Sequence, residues 1–198
     1  ALGVTIHENH PVDAVQSHRI SGPWGQASAD AVIMSAGAAG FALIDPYVPL
    51  HPVTGVKGQA ALLDVDLTGQ PQIYAGGVYV IPHANGTVAV GSTSETTWAD
   101  LQTDGQLDTV ISQARMMVPT LQDAPVLQRW AGLRPKARRR DPMVGAVPEL
   151  DGVYAVTGAF KIGFSLAHSL GDVMARMIRD EPFDIPESFT VGWHMAGV

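Results

Sequence analysis

The chain has 198 residues, 46% hydrophobic and 16% charged, with 12 basic against 19 acidic side chains and a net charge of −7. This composition excludes intrinsic disorder, which needs low hydrophobicity and high net charge, and the acidic balance argues against a nucleic-acid partner. The absence of cysteine excludes a disulfide framework, a thiolate zinc site and a cysteine nucleophile, and makes a reducing cytoplasm the expected setting.

Residues 3–12 alternate apolar and polar side chains, which predicts a strand already under way near the first residue. There is no initiator Met, so a piece of a longer or processed protein is expected. Residues 31–34 form a short apolar run followed by Ala36, Gly37 and Gly40. This reads as a buried strand entering a tight turn that another backbone or a flat ligand can approach. Three strand-like runs follow at 56–67, 72–82 and 87–92, the last two joined by Asn85-Gly86, a hairpin signal. Leu107, Val110, Ile111, Ala114, Met117 and Val118 recur at helical spacing, with Thr103 or Asp104 as N-cap and Pro119 as stop. Residues 126–134 return to strand character and 153–156 form another short strand, which runs into the glycine-bearing loop 157–163. A last helix carries Phe164, Ala167, Leu170, Val173, Met174, Met177 and Ile178 on one face. Beyond Glu181, Pro182 and Pro186 predict an extended surface tail. No apolar run approaches the roughly 20 residues that span a bilayer, and no signal peptide is visible.

The fold class that follows is α+β. Residues 44–144 form an antiparallel or mixed sheet with one helix, inserted between 1–43 and 145–198, which read as pieces of an α/β layer. The basic run Arg138-Arg139-Arg140 is expected in a solvated loop, with an acidic partner or a missing acidic segment of the same protein as the alternative. None of the seven histidines sits in a metal-ligand spacing, and no G-x-S-x-G marks a serine nucleophile.

Five stretches taken in order carry a family resemblance: GVTIHENHPV at 3–12, AVIMSAG at 31–37, VKGQ at 56–59, YVIPHANGTVAVGST at 79–93, and WAGLRP at 130–135 running through DPMVG and GVYAVTG to Gly163. Together they resemble the C-terminal half of FAD-dependent amine and amino-acid oxidoreductases, the group of glycine oxidase, D-amino-acid oxidase and sarcosine oxidase. The resemblance implies that 44–144 is a substrate-binding domain and that the flanks are part of an FAD-binding domain. It implies a small amine or amino acid as substrate and hydride transfer to FAD, with oxygen as the usual acceptor. A dehydrogenase of the same fold is one alternative, and a flavin-free, non-catalytic subunit another.

The family grips the FAD pyrophosphate with a Gly-rich strand-to-helix turn, and no G-x-G-x-x-G occurs here. That part of the site is therefore expected from a missing N-terminal segment or a partner subunit. On the resemblance, Val12 packs on adenine, Ala36 and Gly37 pass close to the flavin, and Gly158, Ala159, Phe160, Lys161, Ile162 and Gly163 face its pyrimidine end. Backbone N–H groups at that helix start, together with Lys161, favour negative charge. Arg134 is assigned to the substrate carboxylate, which its planar fork matches with two hydrogen bonds, and Tyr79 to the pocket wall. Each also has a purely structural reading, as a strand-end ion pair and a strand aromatic. Lys57-Gly58-Gln59 is read as structural.

Overall fold

The computed structural model describes residues 3–47, 53–137 and 139–196, the side chain of Val53 excepted. In chain order the elements are β1 (Ala14–Gln16), β2 (Arg19–Gly22), β3 (Gly25–Ser28), β4 (Val32–Met34), α1 (Phe41–Ile44), β5 (Val53–Asp64), β6 (Ile73–Ala75), β7 (Val78–Pro82), β8 (Thr87–Gly91), α2 (Gly105–Met117), β9 (Val126–Ala137), β10 (Met143–Ala146), β11 (Val153–Thr157), α3 (Gly163–Ile178) and α4 (Val191–Met195). The chain divides into two compact units, Ala1–Thr54 with Pro135–Val198, and Gly55–Arg134.

The division falls inside the boundaries expected at 43/44 and 144/145. Ile44 is buried in the core of the first unit, and Ala137 N donates to Gly158 O at 3.0 Å. Both segments flanking the insertion therefore belong with the α/β flanks.

The first unit holds two three-stranded sheets. One is the antiparallel ribbon β1-β2-β3; the other runs β10-β11-β4, with β10 antiparallel and β4 parallel to β11. Val15, Met34, Ile44, Met143, Val153, Ala155 and Val191 share its main core. On α3 the helical spacing buries Leu170 and Met174 against Val144, with Tyr154 and Val156 alongside.

Two expectations are corrected in this unit. Residues 3–12 form no strand: Val4 and Ile6 are 76% and 79% exposed, so their alternation has no core to face. The segment after Glu181 is not a tail throughout, because α4 buries Val191 and His194. The Thr190 side chain caps α4 by accepting from Trp193 N at 3.1 Å. The basic run sits before β10; Arg139 and Arg140 are exposed, with the Arg139 guanidinium 4.1 Å from the centre of the Trp193 ring, and Arg138 lies outside the described residues.

The second unit is a five-stranded sheet in the order β6-β7-β8-β5-β9. Successive side chains on a strand face opposite ways. Ala61, Leu63, Val78, Val80, Val88 and Val90 therefore meet Leu107, Val110, Ile111 and Ala114 of α2 on one face. Asp104 caps α2 by accepting from Gln106 N at 2.9 Å. The run expected as one strand over 72–82 is instead a tight hairpin. Gly76-Gly77 forms its turn and sets Tyr74 opposite Tyr79. Among the described residues, no helix is long and apolar enough to cross a membrane.

Candidate functional site

In the first unit, β4 and β11 run parallel and both open at their carboxyl ends into small-residue loops, the end of such strands at which α/β sheets hold ligands. A cleft of about 610 Å³ opens there and runs the length of α3 as far as Ile178 and Arg179; at the strand ends it is walled by Gly37, Gly158, Ala159, Gly163 and Ala167. Gly158 has φ +76°, and a Cβ on it would lie 2.6 Å from Ala137 Cβ. Only glycine lets the loop pass that close to β9. Phe160 N donates to Pro135 O at 2.8 Å and pins the same loop. Helix α3 starts with no side-chain cap at Ile162, which leaves its first N–H groups for solvent or a ligand. The buried Thr157 hydroxyl, on the cleft wall, has no partner.

Of the residues expected at a cofactor, Gly37, Gly158, Ala159 and Gly163 line this cleft. Ala36, Phe160, Lys161 and Ile162 stand on the same two loops without lining it, the Lys161 ammonium lying 5.5 Å from the Phe160 ring centre. Val12 packs on the core of the unit.

In the second unit, Tyr79 and Arg134 share the sheet face opposite α2. Register places Tyr79 beside Gly91 and Gly91 beside Ala60, so these three point the same way. Gly58, two residues from Ala60, points that way too, and the Arg134 guanidinium lies over it. Tyr79 and Ala60 are two strand spacings apart, about 10 Å. Gly91 and Ala60 thus form a floor without bulky side chains between an aromatic wall and a cation. Tyr74 extends the wall, stacked on Tyr79 with ring centres 4.2 Å apart.

Arg134 is half-buried and fixed on one side: Nη1 donates to Thr93 O at 3.2 Å and Nη2 to Ser92 Oγ at 2.6 Å. Among the described residues no carboxylate lies within ion-pair distance of it. Burial lowers its pKa, and the nearby Glu95 charge opposes that effect. Burial also pushes the Glu95 carboxyl up, but hydrogen bonds from Thr93 and Gln59 and the Lys57 charge together hold it below its ordinary range. The remaining guanidinium N–H groups of Arg134 can meet a planar anion. Sequence reasoning missed Tyr74, Ser92, Thr93 and Glu95. For Tyr74 the signal was the two-glycine turn, which fixes its register against Tyr79.

The DAO family signature, described as FAD dependent oxidoreductase, matches residues 1–177. Glycine oxidase of Pseudomonas aeruginosa is 34% identical over 157 residues, covering 76% of this chain and 43% of that protein. Glycine oxidase of Bacillus licheniformis is 28% identical over 187 residues, covering 91% and 51%. Among solved structures, glycine oxidase from Geobacillus kaustophilus superposes with a TM-score of 0.77 at 23% identity, covering 88% of this chain and 48% of that one. Iminodiacetate oxidase from Chelativorans gives 0.76 at 26% identity, covering 87% and 49%. The chain spans about half the length of these relatives. With the signature running through both units and the fold shared, the chain belongs to the DAO family of FAD-dependent oxidoreductases.

Proposed function

We propose that this chain supplies the substrate-binding unit and one side of the flavin site of an enzyme that oxidises a small carboxylate-bearing amine. The observation that carries the reading is the pairing of Arg134 with Tyr79 on one small-floored sheet face. Two relatives support it by name, one an oxidase of glycine and one of iminodiacetate, both of which combine an amine nitrogen with carboxylate. The rest of the cofactor site comes from a further segment of the full-length protein or from a partner subunit.

The residues present fit one side of a flavin nucleotide. The first unit offers a cleft lined largely by small and apolar side chains, an uncapped helix start and an unpartnered buried hydroxyl at Thr157. Gly37, Gly158, Ala159 and Gly163 would hold its flat ring system through backbone contact. When bound, FAD supplies the acceptor for a hydride from the carbon next to the substrate nitrogen, and the oxidase names of the relatives favour oxygen as the final acceptor.

Within this scheme Arg134 binds the substrate carboxylate through the N–H groups not committed to Ser92 and Thr93. Tyr79 donates from its hydroxyl to the substrate. The Gly91–Ala60 floor admits the substrate close to the sheet, and the aromatic pair excludes water from one side.

The test is Arg134→Ala in the flavin-loaded full-length protein. A charge-assisted contact worth about 1.5–3 kcal/mol raises KM for a carboxylate substrate roughly 10- to 150-fold. Oxygen uptake with a carboxylate-free amine changes little. An unchanged KM for the carboxylate substrate refutes the assignment.

A further inference from the structure

The α2 side of the second unit's sheet carries polar side chains that no hydrophobic core requires. Lys57 and Gln59 alternate along β5 and are 2% and 0% exposed. Buried polar groups are tolerated only when partnered, and these are tightly partnered. Gln59 Nε2 donates to Glu95 Oε1 and Asp104 Oδ1, both at 3.0 Å, while Gln59 Oε1 accepts from Asp104 N at 2.8 Å. Lys57 Nζ lies 3.6 Å from Glu95 Oε2 and 3.7 Å from Asp104 Oδ2. The Thr93 hydroxyl donates to Glu95 and accepts from Gln59 N.

Thr93 links this network to the opposite face. Its side chain is held by Gln59 and Glu95, and its carbonyl holds Arg134 Nη1. Ser92, next in the chain, holds Nη2. The 92–95 segment is therefore clamped from below by a buried network and carries the guanidinium above.

We propose that Thr93, Gln59 and Glu95 are positioning residues for Arg134, setting the guanidinium where a substrate carboxylate meets it. This rests on the reading of Arg134 as the carboxylate anchor. Loosening the clamp moves the cation without removing it, so substrate affinity falls while turnover at saturation is kept. Weakening one charge-assisted hydrogen bond to the carboxylate is enough for about a tenfold loss of affinity.

The experiment compares Thr93→Val, Thr93→Ser, Glu95→Gln and Arg134→Lys in the flavin-loaded full-length protein. It reads kcat, KM and inhibition by acetate, a carboxylate without an amine. Thr93→Val is expected to raise KM and the acetate inhibition constant about tenfold with kcat within about twofold, and Thr93→Ser to restore both. Glu95→Gln is expected to act in the same direction, and it decides the matter if Thr93→Val does not fold. A purely structural role lowers thermal stability and leaves KM and acetate inhibition unmoved; that result in a folded variant, or no rescue by serine, overturns the proposal. If Arg134→Lys leaves acetate inhibition unchanged, the anchor reading itself fails. If Arg134→Lys weakens acetate and neither Thr93→Val nor Glu95→Gln does, only the positioning role fails.

Discussion

Gly58→Ala tests the proposed substrate face without replacing any residue proposed to touch substrate. A Cβ at residue 58 would lie 2.0 Å from Arg134 Nη1, 2.3 Å from Nη2 and 2.4 Å from Cζ. Ordinary contact needs about 3.5–4 Å, so one partner has to move by more than an ångström. The guanidinium is the free end of a long side chain and Gly58 lies within β5, so the arginine moves and the strand stays. Arg134 then loses its bonds to Ser92 and Thr93. For a half-buried donor these are worth about 1–3 kcal/mol together. Alanine returns about 0.4–1 kcal/mol by restricting the unfolded chain. The net loss is at most about 2.5 kcal/mol, a fall in Tm of a few degrees up to roughly 10 °C. Substrate affinity suffers more, with KM for a carboxylate substrate rising about 10- to 100-fold. Steady-state kinetics on the flavin-loaded full-length protein, with a melting curve on the same sample, separates the two effects. A folded Gly58→Ala protein with the parent's KM refutes the placement of Arg134 over residue 58 in the working enzyme.

Two further outcomes concern the first unit. His194 is 1% exposed, Nε2 donates to Pro142 O at 3.0 Å and Nδ1 has no partner, so the ring is held neutral; burial pushes its pKa below the ordinary 6.5. As pH falls below that ordinary value the unfolded chain takes up a proton the native ring refuses. The urea midpoint should therefore drop from about pH 7.5 to about pH 5.5, and less steeply in His194→Gln. His18, raised by its bond to Asp151, acts in the opposite direction and is common to both proteins. Equal slopes for the two count against the buried-neutral assignment. Gly158→Ala places a methyl group 2.6 Å from Ala137 Cβ at φ +76°. Strain and overlap together cost about 3 kcal/mol, or roughly 6–12 °C in Tm; a variant melting within about 2 °C of the parent contradicts the close packing of that loop.

What was legible in the sequence was whatever a local rule encodes. The 3.6-residue spacing from Leu107 to Ala114 and from Leu170 to Met174 marked α2 and α3, and Asp104 was among the caps anticipated. Alternation alone misled at 3–12, since a period of two predicts a strand only where a partner and a core exist. The ribbon β1-β2-β3 passed unnoticed because its residues are mostly exposed and carry little apolar alternation. Thr190, three residues before Trp193, was a cap signal for α4 that the flanking prolines obscured. At the site, Arg134 and Tyr79 were singled out by resemblance; the register of β5, β7 and β8, with the Arg134 guanidinium over Gly58, brings them to one face. Ser92, Thr93 and Glu95 were invisible because their importance lies in pairings across β5 and β9 that no short window contains. Lys57-Gly58-Gln59 was read as structural; in the fold its outer residues anchor a buried network and its glycine makes room for a cation.

The long strands β5 and β9 are neighbours in the sheet, and the second unit begins on one and ends on the other. A Cβ at Gly55 would lie 3.0 Å from Leu133 Cδ1, so the two ends of the unit meet within about one strand spacing. A segment whose ends meet can be exchanged as a cassette: a two-cut graft at these positions moves Arg134, Tyr79 and the clamp beneath them as one piece. Such a graft keeps the same pair of adjacent strand ends whatever lies between them, so the proposed substrate face can be replaced whole as well as by point change.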